Sequence, residues 1–347
     1  MQALPLDQKI GQLFLVGFAG EALAPGHPLA TDIAEGHLGG VILFDRLVAH
    51  GTHTNNIVDA EQVAELTATL QNLAGGKLLI AVDHEGGRVS RFKKKRGFPE
   101  TPGAAVLGGA TDCTLTVNSA RQTARMLKRA GVNFNLAPVV DLDVYPENPI
   151  IGRYGRSFSA QASVVAAHAS AWIAEHRLEG IGCCIKHFPG HGSSRADSHL
   201  GFVDITDTWQ EEELEPYRLL LDKGPAPAVM VGHLFHKKFD PLYPATLSAA
   251  TLRSLLRGSL NFRGMVVSDD MQMKAITSRY GLAEGCCRAL AAGVDLLIVG
   301  NNLDHDPHIF NSLKAAVLAA VDRGELTEKR IDEAWSIIRN FKKRLVP

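Results

Sequence analysis

A dense group of polar residues follows an apolar run near the middle of the chain, in the segment KHFPGHGSSRADSH at residues 186–199. Asp197 and His199 are two residues apart, so in extended backbone their side chains lie on the same side. A carboxylate beside an imidazole fixes the tautomer of the ring and favours its charged form. His199 is therefore a candidate proton donor and acceptor near neutral pH, with Asp197 as its partner.

Lys186 and His187 stand at the start of the same segment, where the apolar run ends. Their side chains offer donors for a hydroxyl or carbonyl group of a substrate. His191 lies four residues after His187, but Pro189 and Gly190 exclude a helix between them, so the geometry of an HExxH zinc site is absent. We therefore predict no metal at this segment. Schiff-base chemistry at Lys186 is an alternative.

Two adjacent carboxylates, Asp269 and Asp270, end a second apolar run, VVSDD. Successive residues of a strand point to opposite faces, so we expect only one of the two to face the interior of a barrel. Asp269 is the candidate nucleophile. Asp270 is expected to cap the next helix or to bond a neighbouring loop, and the alternative that both are caps stays open.

A third group contains carboxylate and guanidinium side chains. In VDHEGGRVSR, Asp83 ends an apolar run and Arg91 follows a pair of glycines. A carboxylate accepts from two hydroxyls and a guanidinium donates to their oxygens, which suits a polyhydroxyl ligand. A structural Asp–Arg pair is the alternative. Arg156 lies in the loop RYGRSFS, and its direction is not decided by the sequence.

Eight apolar runs rich in β-branched residues recur along the chain. They begin at residues 12, 39, 77, 132, 180, 227, 264 and 294. Amphipathic helical patterns lie between them at residues 59–73, 111–130, 160–177, 208–223, 248–256, 282–292 and 307–322, and a final one covers 327–345. Alternating strands and helices form right-handed crossovers in a parallel sheet, and burial of both sheet faces explains the continuously apolar strands.

Polar residues end many of these predicted strands: Asp83, Asp141, Lys186, His187, His233, Asp269 and Asn301. In the rival arrangement, an open doubly wound sheet, ligand groups would concentrate at one switch point. A distribution over many strand ends is typical of the C-terminal mouth of a barrel. We therefore predict an α/β protein with a single (β/α)8 TIM-type barrel, in which residues 1–347 form one catalytic domain with a C-terminal helix.

Charge and composition argue against several classes of partner. The 36 basic and 37 acidic residues nearly cancel, so no overall field favours nucleic acid or an anionic membrane. No apolar run approaches the roughly 18 residues of a membrane span, and we see no secretion signal at the N-terminus. The basic run KKKR at residues 93–96 is a local exception, interpreted as a solvated loop or as a rim that binds a polymer.

The five cysteines include two adjacent pairs and fit no metal-binding spacing. We interpret them as small buried hydrophobic residues in a reducing cytoplasm. The sequence also has no P-loop pattern, so we do not expect phosphate binding by such a loop. We predict no cofactor and no metal.

Four motifs in this order, DHEGGRV, GRSFS, KHFPGHGSSRADSH and SDDM, resemble the family 3 glycoside hydrolases, and more narrowly the bacterial β-N-acetylglucosaminidases of cell-wall recycling. The resemblance covers nearly the whole chain. It implies a retaining exo-β-N-acetylglucosaminidase of the cytoplasm that removes terminal β-linked N-acetylglucosamine. The implied substrate is a saccharide or an anhydro-muropeptide derived from peptidoglycan.

The resemblance also implies roles for individual residues. Asp269 is the implied nucleophile, His199 the acid/base, and Asp197 the partner of the histidine. The implied sugar-binding residues are Asp83, Arg91, Arg156, Lys186 and His187. The segment RFKKKRGFPETP departs from the usual family pattern, as does His84 where relatives often carry Gln, and these departures concern loop contacts.

Other functions remain alternatives at this stage. A phosphorylase or a β-glucosidase of the same family would share the motifs, since a histidine acid/base does not repel an attacking phosphate as a carboxylate would. A lysine aldolase and a non-catalytic sugar-binding barrel are more distant alternatives. A pure binder needs no nucleophile together with a proton shuttle, which favours an enzyme. The sequence makes no prediction of the oligomeric state.

Overall fold

Parallel strands form the centre of the molecule. The computed structural model describes residues 4–76, 78–197, 201–221 and 227–345. The strands in these ranges are β1 (Phe14–Gly17), β2 (Gly40–Ile42), β3 (Leu79–Val82), β4 (Phe134–Asn135), β5 (Gly182–Phe188), β6 (Val203–Asp204), β7 (Ala228–Val231), β8 (Leu234–Phe235), β9 (Val266–Asp270) and β10 (Leu296–Val299). Each of the eight predicted apolar runs coincides with one of them, and β5 extends one residue beyond its run.

Eight of these strands close into a barrel in the order β1, β10, β9, β7, β5, β4, β3, β2, with β1 pairing to both β10 and β2. Every residue of β1, β3, β7 and β10 is buried, because helices cover the outside and side chains fill the interior. The predicted (β/α)8 TIM-type barrel is confirmed. The pair β6 and β8, which was not predicted, forms a separate two-stranded sheet.

Helices surround the barrel. They are α1 (Leu6–Gly11), α2 (Pro28–Ala34), α3 (Ala60–Leu73), α4 (Ala104–Gly108), α5 (Thr114–Arg129), α6 (Ala162–Leu178), α7 (Glu215–Leu221), α8 (Lys274–Tyr280), α9 (Leu282–Ala292), α10 (Ile309–Asp322) and α11 (Glu328–Lys342). Short 3₁₀ turns cover Lys94–Arg96, Gly152–Tyr154, Glu211–Leu214 and Ala245–Leu247, and Ala250–Ser259 is a π-helix. None of the helices in the described ranges has the length and apolar content that a membrane span requires.

The helix α11 closes the N-terminal end of the barrel. Thr327 caps it by accepting from the backbone N–H of Arg330. Near its other end, Lys342 donates at 2.8 Å to the backbone carbonyl of Gly39, which precedes β2. Phe341 packs edge-on against Phe134, the first residue of β4, with 5.1 Å between ring centroids. Ligand access is therefore left to the opposite end, where the polar strand ends lie.

Two strands contain an irregularity at the positions that carry polar side chains. Between β5 and β7 the register shifts after Ile185, so that Lys186 and His187 occupy an enlarged step of the ladder. Between β9 and β10 a similar shift covers Ser268 and Asp269. The Ser268 hydroxyl fills the gap by accepting from the N–H of Ile298 at 2.9 Å. Such bulges re-aim side chains and are common beside active sites.

Candidate active site

A cavity of about 230 Å³ opens at the C-terminal ends of the barrel strands. It brings together Asp83 from the end of β3, Arg91 from the loop that follows, and Asp269 from β9. The other lining residues are Ile42, Phe44, Arg46, Val48, Leu136, Met230, Asp270, Met273, Ile298, Asn302 and Leu303. Three carboxylates and two guanidinium groups thus share one small space with apolar side chains, an arrangement suited to a sugar.

Two larger cavities, of about 460 and 480 Å³, lie near the opposite end of the barrel beside α11. The first is lined by Asp295, a fully buried carboxylate whose oxygens pair with Arg257 at 2.7 Å and Arg330 at 2.6 Å. These ion pairs join α11 to the start of β10, and both oxygens of Asp295 are paired within the protein. The smaller cavity is therefore the candidate active site, despite its size.

Asp269 and Asp270 both line this cavity, which the alternation of strand side chains did not predict. The bulge in β9 explains the difference, because it breaks the alternation at this step. Asp270 is nevertheless fastened to the loops: its Oδ1 accepts from the N–H of Gly300 at 2.9 Å and of Gln272 at 3.0 Å. Asp269 Oδ1 accepts from the N–H of Asp270 at 2.8 Å.

Four charged side chains form a buried network beside the cavity. Lys186 Nζ donates to Asp83 Oδ1 at 2.6 Å and lies 2.7 Å from Glu85 Oε1. Arg156 makes a bidentate pair with Glu85, with both N–O distances at 2.8 Å. Lys186 and Glu85 are buried, and only Asp83 of the four reaches the cavity lining. The network therefore fixes Asp83 from behind.

The two cations and two carboxylates stabilise one another's charged forms. Burial alone would raise the pKa of Glu85, but Arg156 and Lys186 hold it well below its ordinary value. Burial would likewise lower the pKa of Lys186, and Asp83 and Glu85 together raise it above its ordinary value. Schiff-base chemistry requires a neutral amine, so the charged state of Lys186 argues against the aldolase alternative.

His187 is held by a second buried carboxylate, Asp141. The ring Nδ1 lies 2.6 Å from Asp141 Oδ2, and the backbone N–H of His187 donates to Oδ1 at 3.1 Å. A carboxylate only accepts, so Nδ1 carries a proton and donates it to Asp141. Arg156 Nη2 lies 3.4 Å from Nε2 of the same ring. Burial would raise the pKa of Asp141, but His187 and then His191 lower it overall.

The sequence did not single out Glu85, although it holds two of the predicted sugar-binding residues, Lys186 and Arg156. It lies inside the motif DHEGGRV and is 71 residues from Arg156, so no local spacing connects the two. Asp141 was noted only as a polar strand end. It ends the apolar run that begins at residue 132, six residues after the end of β4, and this position alone does not indicate which side chain the carboxylate pairs with.

The segment that follows Lys186 and His187 is anchored by buried side chains up to Ser194. Asp141 accepts from the N–H of His191 at 2.8 Å, and Glu213 Oε2 accepts from the N–H of Gly192 at 2.9 Å. Asn148 Nδ2 donates to the carbonyls of His191 and Gly192 at 2.7 and 3.0 Å. Three loops are thereby joined at residues 191–192, which precede the predicted acid/base residues in the chain.

The predicted dyad of Asp197 and His199 is only partly described. Asp197 is half-buried and, within the described ranges, is not among the residues that line the cavity. His199 lies outside the described residues. The roles of both residues stay predictions.

Glu213 makes a testable contribution to stability. Burial raises its pKa from 4.5 to about 7, so the folded protein binds this proton more tightly than the unfolded chain does. The stabilisation is fully present below about pH 4.5 and is lost as the pH rises through about 7, by about 3 kcal/mol in all. Measured by urea unfolding, the free energy of unfolding of the wild type should show this fall between about pH 4 and about pH 8. The Glu213→Gln protein should lack it.

The control is Glu212→Gln, since Glu212 is exposed on the same 3₁₀ turn. This variant should keep the pH dependence of the wild type. A Glu213→Gln protein whose stability ran parallel to the wild type across the whole pH range would contradict the assignment.

Comparisons with known proteins agree with this geometry. The profile described as "Glycosyl hydrolase family 3 N terminal domain" matches residues 5–340. A beta-hexosaminidase of Nitrosomonas eutropha is 35% identical over 306 residues, covering 84% of this chain and 82% of that protein. Beta-hexosaminidase LpqI of Mycobacterium tuberculosis is 33% identical over 341 residues, with 95% and 80% of the two chains covered.

Two solved structures are similar over almost all of this chain. A glycoside hydrolase family 3 β-N-acetylglucosaminidase from Paenibacillus superposes with a TM-score of 0.89 at 35% identity, covering 99% of this chain. This chain spans only 63% of that longer protein. A β-N-acetylhexosaminidase from Beutenbergia cavernae gives a TM-score of 0.86 at 30% identity, with 98% and 99% of the two chains covered. The similarity to both structures thus extends over at least 98% of this chain.

Proposed function

The chain belongs to glycosyl hydrolase family 3, and we propose that it is a retaining exo-β-N-acetylglucosaminidase. As a family member it is a glycoside hydrolase. Its preference for N-acetylglucosamine is the proposed part, supported by relatives named as beta-hexosaminidases. The observation that carries the proposal is the position of Asp269, on the wall of a cavity that also presents Asp83 and Arg91.

Asp269 acts as the nucleophile in the proposed mechanism. Its carboxylate attacks the anomeric carbon, the bond to the leaving oxygen breaks, and a glycosyl ester forms. His199, with Asp197 as partner, gives its proton to the leaving oxygen. In the second step His199 takes a proton from water, the resulting hydroxide attacks the anomeric carbon, and Asp269 is released as a carboxylate.

The other predicted site residues hold the sugar. Asp83 and Arg91 face the cavity and are matched to a hydroxyl that donates to one and accepts from the other. Lys186 and His187 are buried, and 11% of the Arg156 side chain is exposed. Lys186 holds Asp83 at 2.6 Å, and the proposed role of Arg156 and His187 is to bond a further hydroxyl of the sugar. The volume of about 230 Å³ is below the range of about 300–1,000 Å³ usual for drug-sized ligands. This supports removal of one terminal sugar at a time.

We further propose that the substrates are peptidoglycan-derived saccharides, including anhydro-muropeptides, and that the enzyme works in the cytoplasm as one catalytic barrel. The family resemblance of the motifs supports the substrate class. All five cysteines are free, and Cys183, Cys184 and Cys286 are buried, which is in keeping with a reducing compartment.

The proposal is tested with aryl β-glycosides that differ only in the sugar, each assayed with and without phosphate. We expect the N-acetylglucosaminide to be cleaved at least about 100-fold faster than the glucoside, since a bound acetamido group discriminates by a few kcal/mol. Free N-acetylglucosamine should remain the product in phosphate. Sugar 1-phosphate as the main product would identify a phosphorylase, and preference for the glucoside would identify a β-glucosidase.

A further inference from the structure

Two neighbouring side chains each have a buried polar atom without a hydrogen-bond partner, Oδ1 of Asp45 and Nε of Arg91. Asp45 follows β2 and is only 2% exposed. Nη1 of Arg91 lies 3.7 Å from that Oδ1. This distance compensates charge but is too long for a hydrogen bond. A carboxylate and a guanidinium therefore face each other without forming the bidentate pair that these groups favour.

The second oxygen of Asp45 is occupied by Lys93. The ammonium group of Lys93 forms a hydrogen-bonded ion pair with Oδ2. Arg96 fixes the same residue by donating from Nη2 to the backbone carbonyl of Asp45 at 2.9 Å. Two of the four cations of KKKR (residues 93–96) thus point inward, whereas Lys94 and Lys95 are exposed. Neither a wholly solvated loop nor a wholly external rim describes this segment.

Arg91 is positioned without using its donors on carboxylates. Its Nη2 lies 4.0 Å from Asp83 Oδ2, and its guanidinium is 5.5 Å from the centre of the Phe44 ring. The guanidinium thus lies between Asp45 and Asp83 without a hydrogen bond to either carboxylate. It also forms part of the cavity lining. A sugar hydroxyl between Arg91 and Asp83 would accept from the first and donate to the second.

We propose that Lys93 is a positioning residue for substrate binding. By pairing with Asp45, it keeps that buried carboxylate from drawing Arg91 into a bidentate ion pair and out of the cavity. The donors of Arg91 then remain available to a hydroxyl of the sugar. The inference rests on the proposed function only in taking a sugar as the ligand of this cavity.

The test compares Lys93→Met, Asp45→Asn and the double variant, using the aryl glycoside that the wild type cleaves best. In Lys93→Met the unopposed Asp45 should capture Arg91, so KM should rise about tenfold or more while kcat changes less than about threefold. Adding Asp45→Asn removes the competing charge, and KM should return to within about threefold of the wild type. The Kd of N-acetylglucosamine from calorimetry should follow the same order.

The matched control is Lys94→Met, since Lys94 is exposed and pairs only at 3.4 Å with the exposed Glu100. It should leave KM unchanged. A Lys93→Met protein with lowered Tm but wild-type KM and Kd would overturn the inference and leave Lys93 a purely structural residue. If the proposed function is wrong, the wild type will prefer a different sugar. That result is obtained without the Lys93 variants, so the two failures can be told apart.

Discussion

Replacing Asp269 with Asn should lower kcat for an aryl β-N-acetylglucosaminide by about 10⁴-fold while leaving the fold intact. An amide cannot form the glycosyl ester, so the covalent step is lost. Asn has the same size as Asp, and its Oδ1 can still accept from the N–H of Asp270, the bond that the carboxylate makes at 2.8 Å. Circular dichroism and Tm should therefore match the wild type when steady-state kinetics are measured.

The adjacent Asp270→Asn is the matched control. Asp270 Oδ1 accepts from Gly300 and Gln272, and an Asn oxygen can keep these bonds. We expect a loss of kcat below about tenfold, since this side chain holds loops and forms no bond to the sugar in the proposed mechanism. Equal losses in the two variants would remove the distinction between nucleophile and support.

Chemical rescue adds a result that only a missing nucleophile produces. In Asp269→Ala the cavity wall has room for azide where the carboxylate stood. Azide should attack the anomeric carbon from that face as the aryl group leaves, and the product should be the α-glycosyl azide. The proposed mechanism would be excluded if no α-glycosyl azide formed and if Asp269→Asn turned over the substrate at the wild-type rate.

The barrel could be predicted because its strands are buried on both faces. In the run KLLIAVD every side chain between Lys77 and Asp83 is apolar, and β3 (Leu79–Val82) lies inside it. The long helices were equally visible: α9 covers Leu282–Ala292, the predicted range. Short helices such as α1, α2, α4 and α8 contain too few turns to show an apolar period. Residues 248–256 were predicted as an ordinary amphipathic helix, and the structure has a π-helix there.

The site could be predicted only where its residues stand at strand ends. Asp83 and Asp269 follow apolar runs directly, and the structure brings both to one cavity. The bulges at Lys186–His187 and Ser268–Asp269 depend on pairing with strands about 40 and 30 residues away, which no local pattern reports. Likewise, Glu85 and Asp45 depend on partners in other loops. The sequence thus did not predict the buried carboxylates that hold the sugar-binding side chains in place, Glu85 and Asp45.

Replacing Glu85 with Ala should lower the free energy of unfolding by about 3–5 kcal/mol. This measures how much the buried carboxylate contributes to stability. The substitution removes the carboxylate that pairs with Arg156 at 2.8 Å and with Lys186 at 2.7 Å, so Arg156 loses its bidentate partner and Lys186 keeps only Asp83. Uncompensated buried charge is far more costly than loss of an exposed pair. Urea unfolding at neutral pH measures the effect, where the lowered pKa of Glu85 keeps the wild-type carboxylate ionised.

The chain provides a matched control in Glu147→Ala. Glu147 pairs with Arg153 at 2.9 Å, in the same loop as Arg156, but both side chains are more than half exposed, at 65% and 60%. This loss should stay below about 1 kcal/mol, because water screens the pair. Glu85→Ala should also raise KM, since Lys186 and Asp83 would rearrange behind the sugar. Equal destabilisation by the two substitutions would mean that the Glu85 network is no more than a surface-like ion pair.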